Sequence, residues 1–446
     1  MRNPSLRRWL SEPVNNAPLV VWRVAFGTLM LLESWGAIAT GWVYRNLVEP
    51  EFTFSFIGFE SLQVFLGWPM YAWFALMGVA ALGVALGYRY RVSAAVLAVL
   101  WSGAYFLQKT SYNNHYYLAV LLCWGMAALP AHRRAALDVA RTGVRTYTHG
   151  RWISVLAKAQ LLIVFTYGAL AKLYPGWLNG DFIAHSFARK AHYPVLGPLL
   201  AQGWFQDFIT YGAIAFDGLI IPLLWWRPTR RLAFCGLIAF NLFNSVVFQI
   251  GIFPYLVLAL TVFFFEPAYI ERLFRLRPAG AAASQLTAKP AATPPLSRPV
   301  TLALVGYLAV QVMLPLRHHF IPGDVNWREE GHRLSWRMML RSKGGTVRLE
   351  AVNPVSGERE RVRPRDFLTQ KQASRLAGYP YFLWRFAQYV EAHYRARGWP
   401  EVEVYATRSK VYLNGRDAAP LVAPTTDLTA VEWNYWGRNP WVLDHP

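Results

Sequence analysis

The sequence has few cysteines and few acidic residues, and each shortage restricts the kind of protein it encodes. Its two cysteines, Cys123 and Cys235, lie in apolar segments, which favours buried thiols over a disulfide framework or a metal pair. The 25 acidic residues are outnumbered by 45 Lys and Arg, so the net charge is +20 at pH 7. No nucleic-acid partner is expected, because the chain lacks a Gly-rich phosphate loop, an RNA-binding signature and Cys/His finger spacing.

Long apolar segments occupy most of the first 316 residues. The chain is 54% hydrophobic and contains 20 Trp, 23 Tyr and 27 Phe, which is typical of multi-span membrane proteins with aromatic interfacial belts. Because ~20 apolar residues cross a bilayer, about nine spans are predicted. They lie near 18–40, 71–87, 92–107, 116–130, 152–173, 208–226, 232–249, 251–265 and 300–316. The basic start, MRNPSLRRWLSEP, has no cleavable apolar stretch, so it is expected to precede a retained helix.

Basic residues cluster in alternate loops, which predicts the orientation of the spans. Arginine clusters precede the first span and follow the second, fourth, sixth and eighth, whereas the other loops hold few basic residues. The positive-inside rule then places the N-terminus in the cytoplasm and the C-terminal region outside. The loop 109–117, the end of the fifth span, the loop 174–207, the turn 244–255 and the C-terminal region therefore share the extracytoplasmic face.

The composition divides the chain into four parts. We predict an all-α polytopic membrane bundle over 1–275, an Ala/Pro-rich linker over 276–299 and a last membrane helix over 300–316. Residues 317–446 are predicted to form a small β-rich soluble domain, with strands at GTVRLEAV, EVEVYA and KVYLNG and some helix near 370–397. Asn414-Gly415 is a hairpin signal after the last of these strands.

One lysine stands near the end of the fifth span, in QLLIVFTYGALAKLYPGW (160–177). A lysine at membrane depth is costly, so Lys172 is a candidate functional group facing the protein interior. The alternative is that its ammonium extends to the lipid headgroups. Its predicted position on the polar extracytoplasmic face favours a function.

Polar side chains also stand between the third and fourth spans, in KTSYNNHYYL. The amides of Asn113 and Asn114 can bind a carbonyl or a hydroxyl, and His115 can relay a proton near neutral pH. The alternative is that these residues only satisfy the ends of helices. Further polar residues follow one apolar helix, where hydrogen bonding between helices is their common use: Asn241, Asn244, Ser245 and Gln249.

Two other groups of ionisable residues are given structural roles or none. Arg23 and Glu33 of the first span are expected to pair with neighbours. His318 and His319 are adjacent and lack further ligands at suitable spacing, so no metal site is predicted. No catalytic triad or nucleophile elbow is present.

Seven stretches, in the same order, resemble the vitamin K-dependent gamma-glutamyl carboxylase family, whose membrane part is shared with the HTTM proteins. They are WRVAFGTLML with PEFTFSFIGFE, KTSYNNHYYL, GALAKLYPGWLNGD, FDGLIIPLLWWRPTR, FNSVVFQIGIFPY, LPLRHHFIPGDVNWREEGHRLSWRMMLRSK and VYLNGR. The resemblance covers almost the whole chain. The Arg/Ala-rich composition and short length suggest a bacterial homologue, in an inner membrane.

The resemblance implies an enzyme that couples epoxidation of reduced vitamin K, or menaquinol, by O₂ to carboxylation of protein glutamate by CO₂. The family's lysine base falls on Lys172, and its Asn-His pair on Asn114 and His115, which would orient the quinol. No metal is implied, and the partners are the bilayer and a glutamate-containing polypeptide. Quinol binding is further assigned to Asn113, Phe165, Tyr167, Asn241, Asn244 and Gln249. Peptide binding is assigned, from predicted placement outside the membrane, to Arg189, Trp336 and Lys343.

Two positions depart from the family pattern. Asn241 stands where the family has a histidine, and Phe165 where it has a tyrosine. Neither side chain can exchange a proton near neutral pH. Two alternatives therefore stay open: a quinol mono-oxygenase without carboxylation, and a non-catalytic lipid-binding or transport protein on the same scaffold.

Overall fold

The computed structural model describes residues 4–276 and 294–445. Most of the predicted Ala/Pro-rich linker, 276–299, lies outside the described residues. Within them, the first 276 residues form helices and one short two-stranded sheet. The residues after 317 form a three-stranded sheet with helices packed against it.

Fourteen α-helices lie within the first described stretch, 4–276. In chain order, α1 to α7 are Pro4–Ser11, Ala17–Ala39, Pro69–Leu86, Tyr90–Leu107, Asn114–Ala128, Leu137–Thr142 and Trp152–Leu170. The next seven, α8 to α14, are Pro175–Leu178, Asp181–Ala188, Gly197–Leu200, Gly203–Trp225, Arg230–Val247, Phe253–Leu260 and Pro267–Leu273. Strands β1 (Pro13–Asn15) and β2 (Thr148–Gly150) pair antiparallel, with Val14 opposite His149.

Seven helices of the described residues are long and apolar enough to cross a membrane. They are α2, α3, α4, α7, α11, α12 and the segment Arg298–Phe320, which begins with helix α15 (Arg298–Leu316). The remaining two predicted spans are helical but shorter: α5 has 15 residues, and the other covers Phe253–Phe264. The predicted helical membrane bundle is confirmed, and the span count is roughly as predicted: seven helices are full-length and two are shorter.

Close contacts between neighbouring helices hold this bundle together. The α2 helix packs against α3, α4 packs against both α3 and α5, and α7 packs against α11. Gly27 permits the first contact, because a Cβ atom at this position would lie 2.4 Å from the Ala85 backbone nitrogen. The α7–α11 contact positions the candidate site described below.

The C-terminal part contains the second sheet. Strands β3 (Lys343–Val352), β4 (Arg359–Val362) and β5 (Glu403–Leu413) are antiparallel in the order β4-β3-β5, with Lys343 opposite Leu413. Helices α16 (Val325–Arg328), α17 (Gln370–Leu376) and α18 (Pro380–Ala396) accompany it. The runs EVEVYA and KVYLNG, predicted as separate strands, form the single strand β5. Asn414 and Gly415 have φ of 54° and 79°, and the chain turns there to form a bridge between Val411 and Ala419.

The C-terminal part rests on a loop of the membrane domain. Phe52 and Phe54 of this loop lie in the same apolar core as Phe382 and Phe386 of α18. The Tyr381 hydroxyl also donates to the Ser55 carbonyl at 2.8 Å. The two parts therefore share a core, which lets residues from both meet at one site.

Candidate functional site

Lys172 lies just beyond the end of α7 and is buried, with 5% of its surface exposed. Its Nζ atom donates to the Gly168 carbonyl at 2.9 Å and to Asp217 Oδ2 at 2.6 Å. The indole ring of Trp177 lies 5.3 Å from the same nitrogen. The ammonium is thus held inside the protein by a charged partner and does not extend to the membrane surface.

Asp217, on α11, is the residue that the sequence interpretation missed. It is 6% exposed and faces Lys172 across the contact between α7 and α11. Gly168 leaves room for it, because a Cβ atom at this position would lie 3.2 Å from Asp217 Oδ2. The signal was present in the sequence, since a carboxylate within an apolar span is itself a candidate functional group that needs a partner.

The Lys172–Asp217 pair lines a cavity of about 190 Å³, which we call the inner cavity. Most of its wall is apolar and aromatic, with Phe165 and Phe216 among the contributors. Asn244 is its one amide. A site with an apolar wall and a few convergent polar groups is the usual form of a small-molecule pocket.

His115 stands in the first turn of α5 and also lines the inner cavity. It is 7% exposed, and its ring contacts Phe253 edge-on, with 4.5 Å between ring centroids. Its Nδ1 atom is buried and has no hydrogen-bond partner among the described residues. A buried polar atom without a partner calls for an explanation, and a bound polar ligand supplies one.

The two asparagines before His115 hold the start of α5. Asn113 caps the helix, because its Oδ1 accepts from the Tyr116 backbone nitrogen at 2.7 Å. Asn114 accepts from the Tyr112 hydroxyl at 2.8 Å and donates to the Arg337 carbonyl at 2.9 Å. The pair thus orients His115 and ties α5 to the C-terminal part.

A second cavity of about 480 Å³, which we call the outer basin, adjoins the inner cavity. Both are lined by His115, Phe248, Met338 and Met339. The basin wall is rich in cationic side chains: Arg189, Lys190, Arg333, Arg337, Arg341 and Arg375. Its one carboxylate, Glu329, is paired with Arg341, so the basin is strongly positive.

The electrostatics of the basin keep one histidine neutral. Burial, followed by the neighbouring guanidinium of Arg341, holds the pKa of His332 well below its usual range. The Nη1 atom of Arg341 lies 2.5 Å from His332 Nε2, an arrangement that requires the imidazole to accept. His332 therefore adds no charge to the outer basin, but it orients the guanidinium group of Arg341.

Four residues assigned to quinol binding lie away from the inner cavity wall. Asn113 lines the outer basin instead. The Tyr167 hydroxyl donates at 2.6 Å to a backbone carbonyl of α15. The Asn241 amide, 1% exposed, donates at 2.9 Å to a carbonyl of its own helix. Gln249 is exposed, with φ of 51°, and its amide lies 3.4 Å from a tyrosine hydroxyl. Phe165 and Asn244 are the members of this set that line the inner cavity.

The three residues assigned to peptide binding are not together. Arg189 is exposed at the outer basin. Trp336 is fully buried and contacts the Tyr117 ring, with centroids 4.9 Å apart. The side chain of Lys343 is also buried, 3.6 Å from Glu329, and burial lowers its pKa to about 8. Trp336 and Lys343 are packed inside the protein, so Arg189 alone of the three is free to meet a peptide.

Comparison with protein families follows the division of the fold. The HTTM domain matches residues 11–269, which is more than half of the chain. Residues 296–446 match the vitamin K-dependent gamma-carboxylase, lumenal domain. No solved structure matches the chain significantly. The lumenal match assigns the C-terminal part to the extracytoplasmic side, and the chain belongs to the vitamin K-dependent gamma-carboxylase family as an integral membrane protein.

Proposed function

We propose that this protein is a membrane gamma-glutamyl carboxylase that couples epoxidation of a reduced naphthoquinone by O₂ to carboxylation of protein glutamate by CO₂. The observation that carries the proposal is the junction of two unlike compartments at His115. One is apolar and contains the Lys172–Asp217 pair, and the other is lined by guanidinium groups. A lipid-soluble ring suits the first, and a carboxylate from water suits the second.

Lys172 is the proposed base for the quinol. A lysine accepts a proton only when neutral, so the amine form of Lys172 is the proposed reactive state. When a ring hydroxyl gives its proton to Nζ, Asp217 Oδ2 is already within 2.6 Å to stabilise the ammonium. Asp217 thus acts through Lys172 as a positioning residue, holding Nζ at the cavity wall.

The fit of the inner cavity to a quinol rests on its polar atoms. The unpartnered Nδ1 of His115 can hydrogen-bond one ring oxygen, while Lys172 faces the other. When bound, the reduced quinone supplies, through its reaction with O₂, the strong base that glutamate deprotonation requires. Phe165 and the surrounding aromatic wall exclude water, which would otherwise quench such a base.

The outer basin is the proposed site for the glutamate side chain. Carboxylation breaks a γ-carbon–hydrogen bond and forms a carbon–carbon bond to CO₂, so the side chain gains one further carboxylate. Guanidinium groups bind carboxylates through charge-assisted hydrogen bonds. Arg337 is buried and Arg341 partly buried in the basin wall, whereas Arg189 is exposed where a polypeptide would enter.

The test is reconstitution in lipid nanodiscs with reduced naphthoquinone, O₂, a Glu-rich peptide and labelled CO₂. The informative variant is Lys172→Met with Asp217→Leu, because it removes both charges and leaves neither buried alone. Lys158→Ala, in the first half of the same helix and outside the inner cavity wall, is the matched control. We expect the double variant to lose both epoxide and label while the control keeps them.

Other outcomes separate the alternatives. Epoxide without label in the parent protein would indicate a mono-oxygenase. Neither product from folded parent protein would reject both enzyme functions.

The orientation is part of the proposal: the N-terminus is placed in the cytoplasm of a bacterial inner membrane. The lumenal domain is then periplasmic. Ser356, exposed in the turn before β4, is a suitable position for a reporter cysteine. A Ser356→Cys variant should react with a membrane-impermeant maleimide in spheroplasts, and reaction only after lysis would contradict this orientation.

A further inference from the structure

Glu33 is a carboxylate within the membrane helix α2 that has no cationic partner. Its Oε1 atom accepts from the Tyr116 hydroxyl at 2.8 Å. No Lys, Arg or His nitrogen of the described residues lies within 4.0 Å of it. Arg23 of the same helix instead donates to the carbonyls of Ala131 and Arg134. An intramembrane carboxyl group with one free oxygen is a candidate binding group.

This group lines a cavity of about 260 Å³ between α2, α4 and α5, which we call the lateral pocket. Its wall is aromatic, with Trp42, Phe74 and Trp101 around the space. Leu32, at its edge, is 63% exposed on the outer surface of α2, so the mouth faces lipid. The volume suits a ring system whose tail remains in the membrane.

We propose that the lateral pocket binds a neutral, lipid-soluble aromatic alcohol. Its ring would lie among Trp42, Phe74 and Trp101, where aromatic groups prefer stacked or edge-on contacts. Its hydroxyl would donate to Oε2 of Glu33, while Oε1 keeps the Tyr116 hydroxyl. The pocket thus supplies an apolar slot with one hydrogen-bond acceptor at its polar end.

The charges at the rim favour a neutral ligand over a cationic one. Arg45 donates to the Thr40 carbonyl at 3.0 Å, and Thr40 lines the pocket. Lys371 donates to the hydroxyl of Ser111, another lining residue, at 2.9 Å. A lipid ammonium would be attracted by Glu33, but it would meet two like charges at the rim and would lose hydration on entering the aromatic slot. An uncharged hydroxyl meets no such barrier.

The lateral pocket is separate from the inner cavity although α5 forms part of both. His115 lines the inner cavity, and the next residue, Tyr116, lines the lateral pocket. Consecutive residues of an α-helix point about 100° apart, so one helix can present them to different sites. The lateral pocket uses neither Lys172 nor Asp217, so the proposal does not depend on the chemistry assigned to them.

Three glycines give a test that does not disturb the fold. A Cβ atom at Gly36, in the lateral pocket, or at Gly212, in the inner cavity, would have no heavy atom within 4 Å. The same holds for Gly306 of α15, which lines neither cavity. We therefore expect leucine at Gly36 to narrow the lateral pocket, leucine at Gly212 to narrow the inner cavity, and leucine at Gly306 to affect neither.

The experiment measures equilibrium binding of a tritiated, prenylated naphthol to the full chain in nanodiscs. We expect two sites per chain in the parent protein and in Gly306→Leu, and one in Gly36→Leu or Gly212→Leu. Binding that Gly36→Leu leaves unchanged would overturn the proposal. A single site lost in Gly36→Leu but kept in Gly212→Leu would support the lateral pocket and contradict quinol binding in the inner cavity.

Glu33→Gln tests the hydrogen bond itself. The glutamine oxygen can still accept from Tyr116, so its amide nitrogen, which cannot accept, takes the place of Oε2. We expect binding at the lateral site, measured in the Gly212→Leu background, to weaken about tenfold. The methyl ether of the same naphthol should bind the Gly212→Leu protein with Glu33 intact about as weakly as the naphthol binds the Glu33→Gln variant. Equal binding of ether and alcohol would contradict the assigned contact and leave only apolar occupancy.

Discussion

The Nζ atom of Lys172 and the Oδ2 atom of Asp217 lie 2.6 Å apart where α7 ends against α11. Both groups are more than nine-tenths buried, so each compensates the cost of removing the other from water. Breaking such a pair is more destabilising than replacing it by apolar residues. The pair is thus a structural contact as well as the proposed basic centre, and these two roles must be separated by experiment.

A stability measurement separates them. Lys172→Met alone leaves Asp217 buried without a counter-charge, and we expect it to destabilise the protein by about 3 to 5 kcal/mol. Lys172→Met with Asp217→Leu should recover most of this loss without recovering activity. Thermal unfolding in detergent, followed by intrinsic fluorescence, gives the comparison. A double variant as unstable as the single one would show that the pair is not coupled in this way.

Gly168→Ala tests the geometry of the pair without removing a charge. The added methyl group would lie 3.2 Å from Asp217 Oδ2, so the carboxylate must shift by a few tenths of an ångström and its contact with Lys172 changes. We expect kcat for epoxidation to fall about tenfold with little change in KM, because positioning rather than binding is lost. Gly218→Ala is the control, since its Cβ would meet its nearest neighbour, Ala169 Cβ, at an ordinary 3.9 Å. Equal effects of both changes would indicate general loosening of the α7–α11 contact.

The sequence predicts the membrane helices because their apolar residues are contiguous. It also predicts that Lys172 and His115 share one face, since the alternation of basic loops depends only on chain order. The number of full-length spans is harder to predict, because α5 and the segment Phe253–Phe264 are apolar but shorter than the ~20 residues that usually cross a bilayer. The length of each membrane helix depends on where the helix ends, and local composition predicts helix ends poorly.

The burial of Trp336 was not predictable from its neighbours. The segment around it is rich in arginine, and three of its non-glycine residues have left-handed backbone: Leu334, Trp336 and Met339 have φ of 58°, 54° and 52°. This irregular path brings Trp336 against Tyr117 of α5 and Met338 into the wall of the inner cavity. Hydrophobic periodicity identifies helices and strands but carries no signal for such a segment. Asp217 was missed for a different reason, because its partner is 45 residues away in sequence.

Arg189→Ala tests the entry of the peptide. Its side chain is exposed at the outer basin, so its attraction for a carboxylate is screened by salt. We expect KM for a Glu-rich peptide to rise about threefold at low ionic strength and less at high ionic strength, with KM for the quinol unchanged. Arg365→Ala, in the C-terminal part but away from the basin, is the control. A matching rise in KM for the quinol would place Arg189 in a different role.

His332 should make the outer basin sensitive to acid. Its pKa in the folded protein lies well below 6.5, whereas the unfolded chain takes up a proton near that pH. The unfolded state therefore binds more protons as the pH falls below 6.5, and stability is lost progressively in that direction. Between pH 7 and pH 5, we expect the thermal midpoint of the parent to decrease more than that of His332→Gln. The two decreases should differ by about 5 °C. His319→Gln, at an exposed position, should behave as the parent, and parallel curves for the parent and His332→Gln would contradict the assignment.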